Sequence, residues 1–230
     1  MKEGSSLKDA FGVREKPIPG LLVKAVERGD IAAVKALLDQ GSDANEENKF
    51  WVPVLQWAIF NRKSQEIAYL LIDGGADVNR QDKSGNTALM KAVWEAHPGI
   101  VNKIMENNAN LDTRNNLGDT ALIVAAKYIH ARARLDDETD PGGNRLFYSG
   151  EALIIAESIM RQLTRSGAGI HITNNTGKTA LTILTEAGHP EIAQALIVEE
   201  KNRIQHAASV SKQDLLRNAP QSRRIKIRPS

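Results

Sequence analysis

The sequence predicts an all-α fold: a solenoid of about five helix-turn-helix units with β-hairpin loops and one insertion in the fourth unit. Two short strings recur along the chain at a spacing of about 33 residues, and apolar residues follow them at helical spacing. A unit of this length cannot bury its own apolar face and is stable only when neighbouring units stack on it.

The spacing of the two strings defines the unit. The string Gly-x-Thr-Ala-Leu occurs three times, at residues 85–89, 118–122 and 177–181. A second string, related to Gly-Ala-Asp-Val-Asn, occurs four times, at residues 41–45, 75–79, 108–112 and 167–171. Neighbouring copies lie 33 or 34 residues apart, except that the last interval of each series is 59 residues. Both strings therefore indicate a 33-residue unit with one insertion of about 26 residues.

The residues of the first string suit the start of a helix. Threonine stands before each apolar helical pattern, where its hydroxyl can accept a hydrogen bond from a backbone N–H that the helix leaves unpaired; the three residues are Thr87, Thr120 and Thr179. Glycine stands two residues earlier, at a turn where positive φ costs little, at Gly85, Gly118 and Gly177. Each unit is thus expected to be a turn followed by two short helices.

The segments 82–93, 188–197 and 29–41 together resemble the ankyrin repeat, and the resemblance covers about residues 17–200. The sequence departs from the family pattern at two positions. The family's proline is replaced by Ala88, Ala121 and Ala180, and the histidine that follows is replaced by Met90, Ile123 and Thr182. The resemblance implies that the hairpin tips and the first helices bind a partner protein.

The repeats divide the chain into three parts. Residues 1–16 are expected to form an N-terminal arm or partial cap, and 17–202 the ankyrin repeat domain. Its units lie near 17–47, 48–81, 82–114, 115–172 (with the insertion at about 129–155) and 173–202. Residues 203–230 are expected to form a capping segment and a basic tail. In this segment a short helix over Asn202–Asn218, with Ser211 as its N-cap, would cover the last unit through Ile204, Leu215 and Leu216.

The fourth unit is expected to have two lengthened helices and a protruding loop. The helical pattern after Thr120 continues to Leu135, where the turn-rich segment 136–144 ends it. Ser149 is a good N-cap for a second helix that runs to about Arg165. The sequence leaves open whether this insertion is functional or a packed decoration.

Composition excludes several function classes. The chain has no cysteine, and its 30 basic residues nearly balance 28 acidic ones, so neither thiolate chemistry nor nucleic-acid binding is expected. Its apolar runs are far shorter than the ~20 residues that span a bilayer. We found no catalytic motif, and we expect no cofactor or metal. The acidic segment 136–140 is read as a solvated loop. The basic tail 223–228 either binds phosphate or an acidic protein, acts as a targeting signal, or only makes the chain more soluble.

The segment 50–60, Phe-Trp-Val-Pro-Val-Leu-Gln-Trp-Ala-Ile-Phe, concentrates aromatic residues in a chain that is only 4% aromatic. Alignment of the units places Trp51 where the others have glycine, and Phe60 opposite Trp94 at the groove-facing end of the first helix. Trp57 is expected to pack partly between helices. The predicted partner-binding residues are Phe50, Trp51, Phe60, Asn61, Trp94, Glu95, Lys127 and Tyr128. Alternatively, Phe50 and Trp51 fold back as a cap over the first unit.

The predicted function is a monomeric protein-protein interaction module that binds another protein without catalysis. The repeats are similar to those of bacterial ankyrin proteins, which implies a cytoplasmic protein, a secreted effector or an inhibitor of a partner enzyme. The alternative is a small enzyme or enzyme subunit with chemistry at the insertion. His97 and His189 share one repeat position and are read as structural, and His130, His171 and His206 share no local motif.

Overall fold

A computed structural model of the protein describes residues 20–61, 65–135 and 150–217. Ten α-helices lie within these residues. In chain order they are α1 Leu21–Arg28, α2 Ile31–Asp39, α3 Val54–Phe60, α4 Gln65–Asp73, α5 Ala88–Trp94, α6 Pro98–Glu106, α7 Ala121–Leu135, α8 Gly150–Arg165, α9 Ala180–Glu186 and α10 Pro190–Arg217. None of them is both long enough and apolar enough to cross a membrane.

Consecutive helices pack as five pairs, α1–α2 through α9–α10. The first helices of the pairs also contact one another in order, and so do the second helices. The molecule therefore has one layer of first helices and one layer of second helices, and each pair adds one helix to each layer, as in a solenoid. The predicted all-α ankyrin-type solenoid is confirmed.

One buried leucine per pair shows how stacking creates the core. At the second position of each first helix stand Leu22, Leu55, Leu89, Leu122 and Leu181. The first four are at most 2% exposed, and burying each fully contributes roughly 1.5–3 kcal/mol. Leu181 is only partly buried because it belongs to the last pair. The apolar residues that recur along the sequence are thus buried by contacts between helix pairs rather than within one pair.

The predicted threonine caps are confirmed. The Thr87 hydroxyl accepts a hydrogen bond from the Met90 N–H at 3.3 Å, and the Thr120 hydroxyl accepts one from the Ile123 N–H at 3.4 Å. Thr179 caps α9 in the same way by accepting a hydrogen bond from the Thr182 N–H. The Thr182 hydroxyl in turn accepts one from the Thr179 N–H, which completes a capping box. These hydroxyls pair N–H groups that the first turn of a helix leaves without a partner.

The fourth pair has the lengthened helices that the sequence predicts. Helix α7 has 15 residues and α8 has 16, whereas α5 has 7 and α6 has 9. Ile129, at the expected start of the insertion, is almost fully buried and belongs to the core. Ser149 and the acidic segment 136–140 lie outside the described residues.

The predicted separate C-terminal helix is wrong. Helix α10 runs without a break over 28 residues, so Ser211 lies inside it rather than at an N-cap. Ile204 is exposed and does not cover the last pair. The physical reason is that 191–217 contains no glycine or proline that would end a helix. The N-terminal arm and the basic tail lie outside the described residues.

Candidate functional site

Four equivalent turns precede the first helices of the second to fifth pairs, and we call them the hairpin tips. Each is numbered by its unit: residues 48–52 form the second tip, 82–86 the third, 115–119 the fourth and 174–178 the fifth. Each begins with Asn or Asp, whose side-chain oxygen accepts hydrogen bonds from the backbone N–H groups two and four residues later. In each tip the fourth residue also donates its N–H to the carbonyl of the first, at 2.8–3.0 Å. Polar side chains thus fix one turn geometry in all four tips.

Trp51 occupies the left-handed backbone conformation that glycine occupies in the other tips. Its φ is 63°, against 76° for Gly85, 77° for Gly118 and 75° for Gly177. The register derived from the repeat alignment is therefore confirmed. This conformation costs a residue with a Cβ roughly 1–2 kcal/mol, and it is rare for bulky side chains. The tryptophan is accommodated at the expense of folding stability.

The tips of the last three units also bond to one another. The N–H of Asn116 donates to the Ser84 carbonyl and that of Asn175 to the Leu117 carbonyl, both at 3.0 Å. A Cβ on Gly85 would lie 2.8 Å from the Asn116 nitrogen, and one on Gly118 would lie 2.7 Å from the Asn175 nitrogen. Glycine at these two positions therefore permits close approach as well as positive φ.

Between the second and third units the tips meet differently. The equivalent bond would join the Lys83 N–H to the Phe50 carbonyl, and it is not formed. Instead the Lys83 ammonium lies 5.2 Å from the centre of the Trp51 ring, a cation–π distance. The Lys49 ammonium lies 5.1 Å from the Phe50 ring in the same manner. The second tip thus has two aromatic rings with a lysine over each.

Four of the predicted aromatic residues are exposed. Phe50 is 57% exposed, Trp51 61%, Phe60 56% and Trp94 47%. The alternative in which Phe50 and Trp51 fold back as a cap is therefore wrong. Trp57 is half-buried between Phe50 and Phe60, with ring centres 6.4 and 6.0 Å apart, so its predicted partial packing is confirmed.

Part of the predicted site comes together in a groove on the first-helix layer. The groove has a volume of about 390 Å³ and contains Phe60, Trp94, Glu95 and Lys127 from the predicted set. Its other lining residues are Asn86, Met90, Lys91, Asn115, Leu117, Asp119 and Val124. We call this surface the concave groove. Its volume lies within the range of pockets that bind small molecules or single side chains.

The other four predicted residues do not line the groove. Phe50 and Trp51 belong to the neighbouring tip, and Asn61 donates a hydrogen bond from its Nδ2 to the Glu27 carbonyl at 3.4 Å. Tyr128 is a correction: it is only 7% exposed and its ring meets the Trp94 ring edge-on at 5.9 Å. One residue further along a helix turns a side chain by about 100°, which points Tyr128 into the core.

The two lysines of the concave groove are paired with carboxylates of their own units. Lys91 bonds Asp82 at 3.2 Å and Lys127 bonds Asp119 at 2.5 Å. Asp119 is buried and also accepts a hydrogen bond from the Asn174 side chain at 2.9 Å. A buried carboxylate satisfied in this way holds the wall of the groove in place.

Gln56 was missed by sequence reasoning. Its side chain is buried, and its Nε2 donates to the carbonyls of Arg80 and Asn86, both at 2.9 Å, so it links the second unit to the third. The signal was available in the alignment, since Gln56 occupies the position of the family's histidine, where a donor can reach the next tip.

The described residues offer little for chemistry. Within residues 20–61, 65–135 and 150–217, no group of three or more His, Asp or Glu side chains is arranged to hold a metal ion. His97 and His189 each stand directly before the proline that begins a second helix, so their shared repeat position is confirmed.

Comparison with known proteins gives consistent results. The family profile described as ankyrin repeats (3 copies) matches residues 22–115 and 55–135. A protein of Escherichia coli (strain K12) named as ankyrin repeat protein YahD is 27% identical over 79% of this chain and 96% of its own length. A protein of Rickettsia bellii (strain RML369-C) named as an ankyrin repeat protein is 33% identical over 48% of this chain and 61% of its own length. The helix pairs, the tips and these matches agree that the chain belongs to the ankyrin repeat family, whose repeats generally mediate protein–protein interactions.

Proposed function

We propose that this protein is a non-catalytic binding module whose partner protein contacts the concave groove and the aromatic second tip together. The proposal rests mainly on the conformation and exposure of Trp51. Three other tips fold with glycine at its position, and tryptophan there is strained and yet 61% exposed. Residues held in unfavourable backbone conformations cluster at functional sites. Because the ring is mostly exposed and has a cation–π contact with Lys83, we infer that a partner rather than the fold requires it.

The concave groove supports the proposal in a second way. Phe60 and Trp94 present two large, half-exposed aromatic surfaces from neighbouring first helices, and both line the groove. Aromatic residues that protrude beside a pocket are typical energetic centres of protein interfaces. Trp94 rests against buried Tyr128, so its ring is held before a partner arrives and less conformational entropy is lost on binding.

The finer expectations belong to the same proposal. The protein acts as a monomer in the cytoplasm, or on a host protein if it is a secreted bacterial effector, and inhibition of a partner enzyme is one outcome of such binding. We do not extend the proposal to the alternative of an enzyme, because no arrangement of the described side chains favours it.

An affinity capture with quantitative mass spectrometry tests the proposal. The bait is the full chain, compared with a Trp51→Ala/Trp94→Ala double variant, in lysates of the source cells. We expect at least one protein to be retained by the wild type and lost with the double variant. The matched control is Ile154→Ala/Ile204→Ala, which removes two other exposed apolar side chains and should retain the partner. Partners lost equally with both variants, or with neither, would contradict the proposed surface.

A further inference from the structure

Two lysines at the aromatic tips stand out from the other charged groups of this face. Lys49 and Lys83 occupy the same position of consecutive tips, where the next two tips have Asn116 and Asn175. Each ammonium lies over an exposed ring, 5.1 Å from Phe50 and 5.2 Å from Trp51. Within the described residues, neither ammonium has a carboxylate at ion-pair distance.

Lys91 and Lys127, in the groove itself, contrast with them. Both are neutralised by carboxylates of their own units, Asp82 and Asp119, at 3.2 and 2.5 Å. The concave groove therefore presents an apolar surface whose two lysines are already paired with carboxylates, while the neighbouring tips present two lysines that have no carboxylate partner among the described residues. The two parts adjoin, because the Asn116 side chain donates to the Lys83 carbonyl at 3.0 Å and the next residue, Leu117, lines the groove.

We propose that the partner binds through an acidic apolar segment, in which a large apolar side chain is flanked by Asp or Glu. This inference rests on the proposed function. The apolar side chain enters the concave groove between Phe60 and Trp94, and the flanking carboxylates meet the ammonium groups of Lys49 and Lys83. Charge complementarity at the rim of an interface accelerates association and selects among partners. The rings beneath the lysines orient the two ammonium groups before binding.

Single-stranded nucleic acid is the competing ligand, because lysines and exposed aromatics also bind phosphates and bases. The charges of the groove disfavour it. Glu95 lines the groove, and the groove lysines are already paired with carboxylates, so a continuous phosphate backbone would find two cations rather than a positive track. An apolar residue between discrete carboxylates matches two cations beside an apolar groove.

A peptide-display selection on the full chain tests the inference. We expect a random peptide library to yield peptides in which Asp or Glu flanks Trp, Phe, Leu or Ile. A selected peptide should lose affinity by about 5–10-fold, and most of its salt dependence, when its acids are changed to amides. A Lys49→Gln/Lys83→Gln variant should lose the same factor for the acidic peptide and nothing for the amide peptide. The control variant Lys35→Gln/Lys201→Gln removes two exposed lysines elsewhere and should bind both peptides unchanged.

The outcomes separate this inference from the proposed function. Peptides that require Trp94 but show no acidic preference, and that bind the Lys49/Lys83 variant normally, would overturn the acidic partner and leave the binding surface standing. If no peptide is selected, or if the selected peptides bind Trp51→Ala/Trp94→Ala as well as the wild type, both proposals fail. Tight binding of an oligothymidylate that depends on Lys49 and Lys83 would assign the tips to nucleic acid instead. Unchanged thermal melting of each variant confirms that it is folded.

Discussion

The second hairpin tip and the fourth make the same turn with opposite consequences. In both, an asparagine side chain accepts two backbone hydrogen bonds, and the fourth residue has positive φ. In the fourth tip that residue is Gly118, which is covered closely by the next tip. In the second tip it is Trp51, which is mostly exposed, and the next tip does not form the equivalent backbone bond to it.

The comparison distinguishes residues that stabilise the fold from residues that are present at the surface at a cost to stability. Glycine in the third and fourth tips avoids a cost of roughly 1–2 kcal/mol for positive φ and permits a backbone hydrogen bond worth about 0.5–1.5 kcal/mol. The second tip forgoes both, with only a cation–π contact in return. This loss of stability at Trp51 is the reason why we propose that binding of a partner rather than folding requires the residue.

The largest effect is expected at the closely covered glycine. Gly118→Ala introduces a Cβ into positive φ and into contact with Asn175, which must move and release its bond to the Leu117 carbonyl. We expect the free energy of unfolding to fall by about 2–3 kcal/mol, measured by urea denaturation.

The control for this prediction is Gly177→Ala in the last tip. Its φ is nearly the same, but nothing lies within 4 Å of the position of the new Cβ. We expect a loss of only about 1 kcal/mol, from the backbone conformation alone. Equal losses in the two variants would mean that the contact between tips contributes nothing to stability, and that the second and fourth tips do not differ in this respect.

The two tryptophans of the first helices should respond differently to truncation. Trp57 packs between Phe50 and Phe60, so Trp57→Ala should lower the free energy of unfolding by about 2 kcal/mol, somewhat less than for a fully buried ring. Trp94 is 47% exposed and forms an edge-on pair with Tyr128, so Trp94→Ala should cost about 1 kcal/mol or less. Trp94→Ala should instead weaken the binding free energy of the partner, by ~2 kcal/mol or more.

Chemical denaturation of both variants, followed by titration with a captured partner or a selected peptide, makes the measurement. If Trp94→Ala destabilises the protein as much as Trp57→Ala and leaves affinity unchanged, the groove aromatics belong to the core and the proposed surface is wrong.

Much of the fold could be predicted because its determinants are local and periodic. Positive φ at Gly85 and a helix cap at Thr87 depend on neighbouring residues, and the repeat spacing shows each of them more than once. The predicted break before the C-terminal helix is wrong because the sequence contains no stop signal there, and Asn202 is a tolerable helix residue.

The candidate site was predicted only in part, because it depends on which way each side chain turns. The alignment placed Phe60 and Trp94 on the groove, but it could not show that Tyr128, one residue beyond the equivalent position, turns inward. The pairing of Lys127 with Asp119 depends on a contact between a tip and a residue in the middle of α7, eight positions later, which spacing alone does not reveal.

Trp51→Gly should restore the backbone preference of the other tips. Relief of the positive-φ strain is partly offset by the greater entropy of glycine in the unfolded chain, so we expect a gain of about 0.5–1 kcal/mol in stability. Partner affinity should fall at the same time, which distinguishes this variant from ordinary surface changes. Asn108→Gly is the control, because Asn108 has φ of 60° far along the chain from the aromatic tip and should not affect binding. A destabilised Trp51→Gly would show that the ring serves the fold.

The smallest effect is expected on the second-helix layer, where an ion pair with two hydrogen bonds joins the fourth and fifth units. The Arg165 guanidinium bonds both oxygens of Glu199, at 2.5 and 2.9 Å, and this contact is the main reason why the pKa of Glu199 lies below its ordinary value of 4.5. A carboxyl group whose pKa is lowered in the folded state stabilises the protein at pH values above its ordinary pKa, and this contribution is lost as the pH falls through the lower folded-state pKa.

Because the pair is near solvent, Glu199→Gln should lower the melting temperature by only about 1–2 °C at neutral pH. The difference between Glu199→Gln and the wild type should vanish well below pH 4.5, and partner affinity should stay unchanged at neutral pH. A melting difference that persists in acid would mean that Glu199 acts through packing, and a loss of affinity would extend the binding surface beyond the concave groove and the second tip.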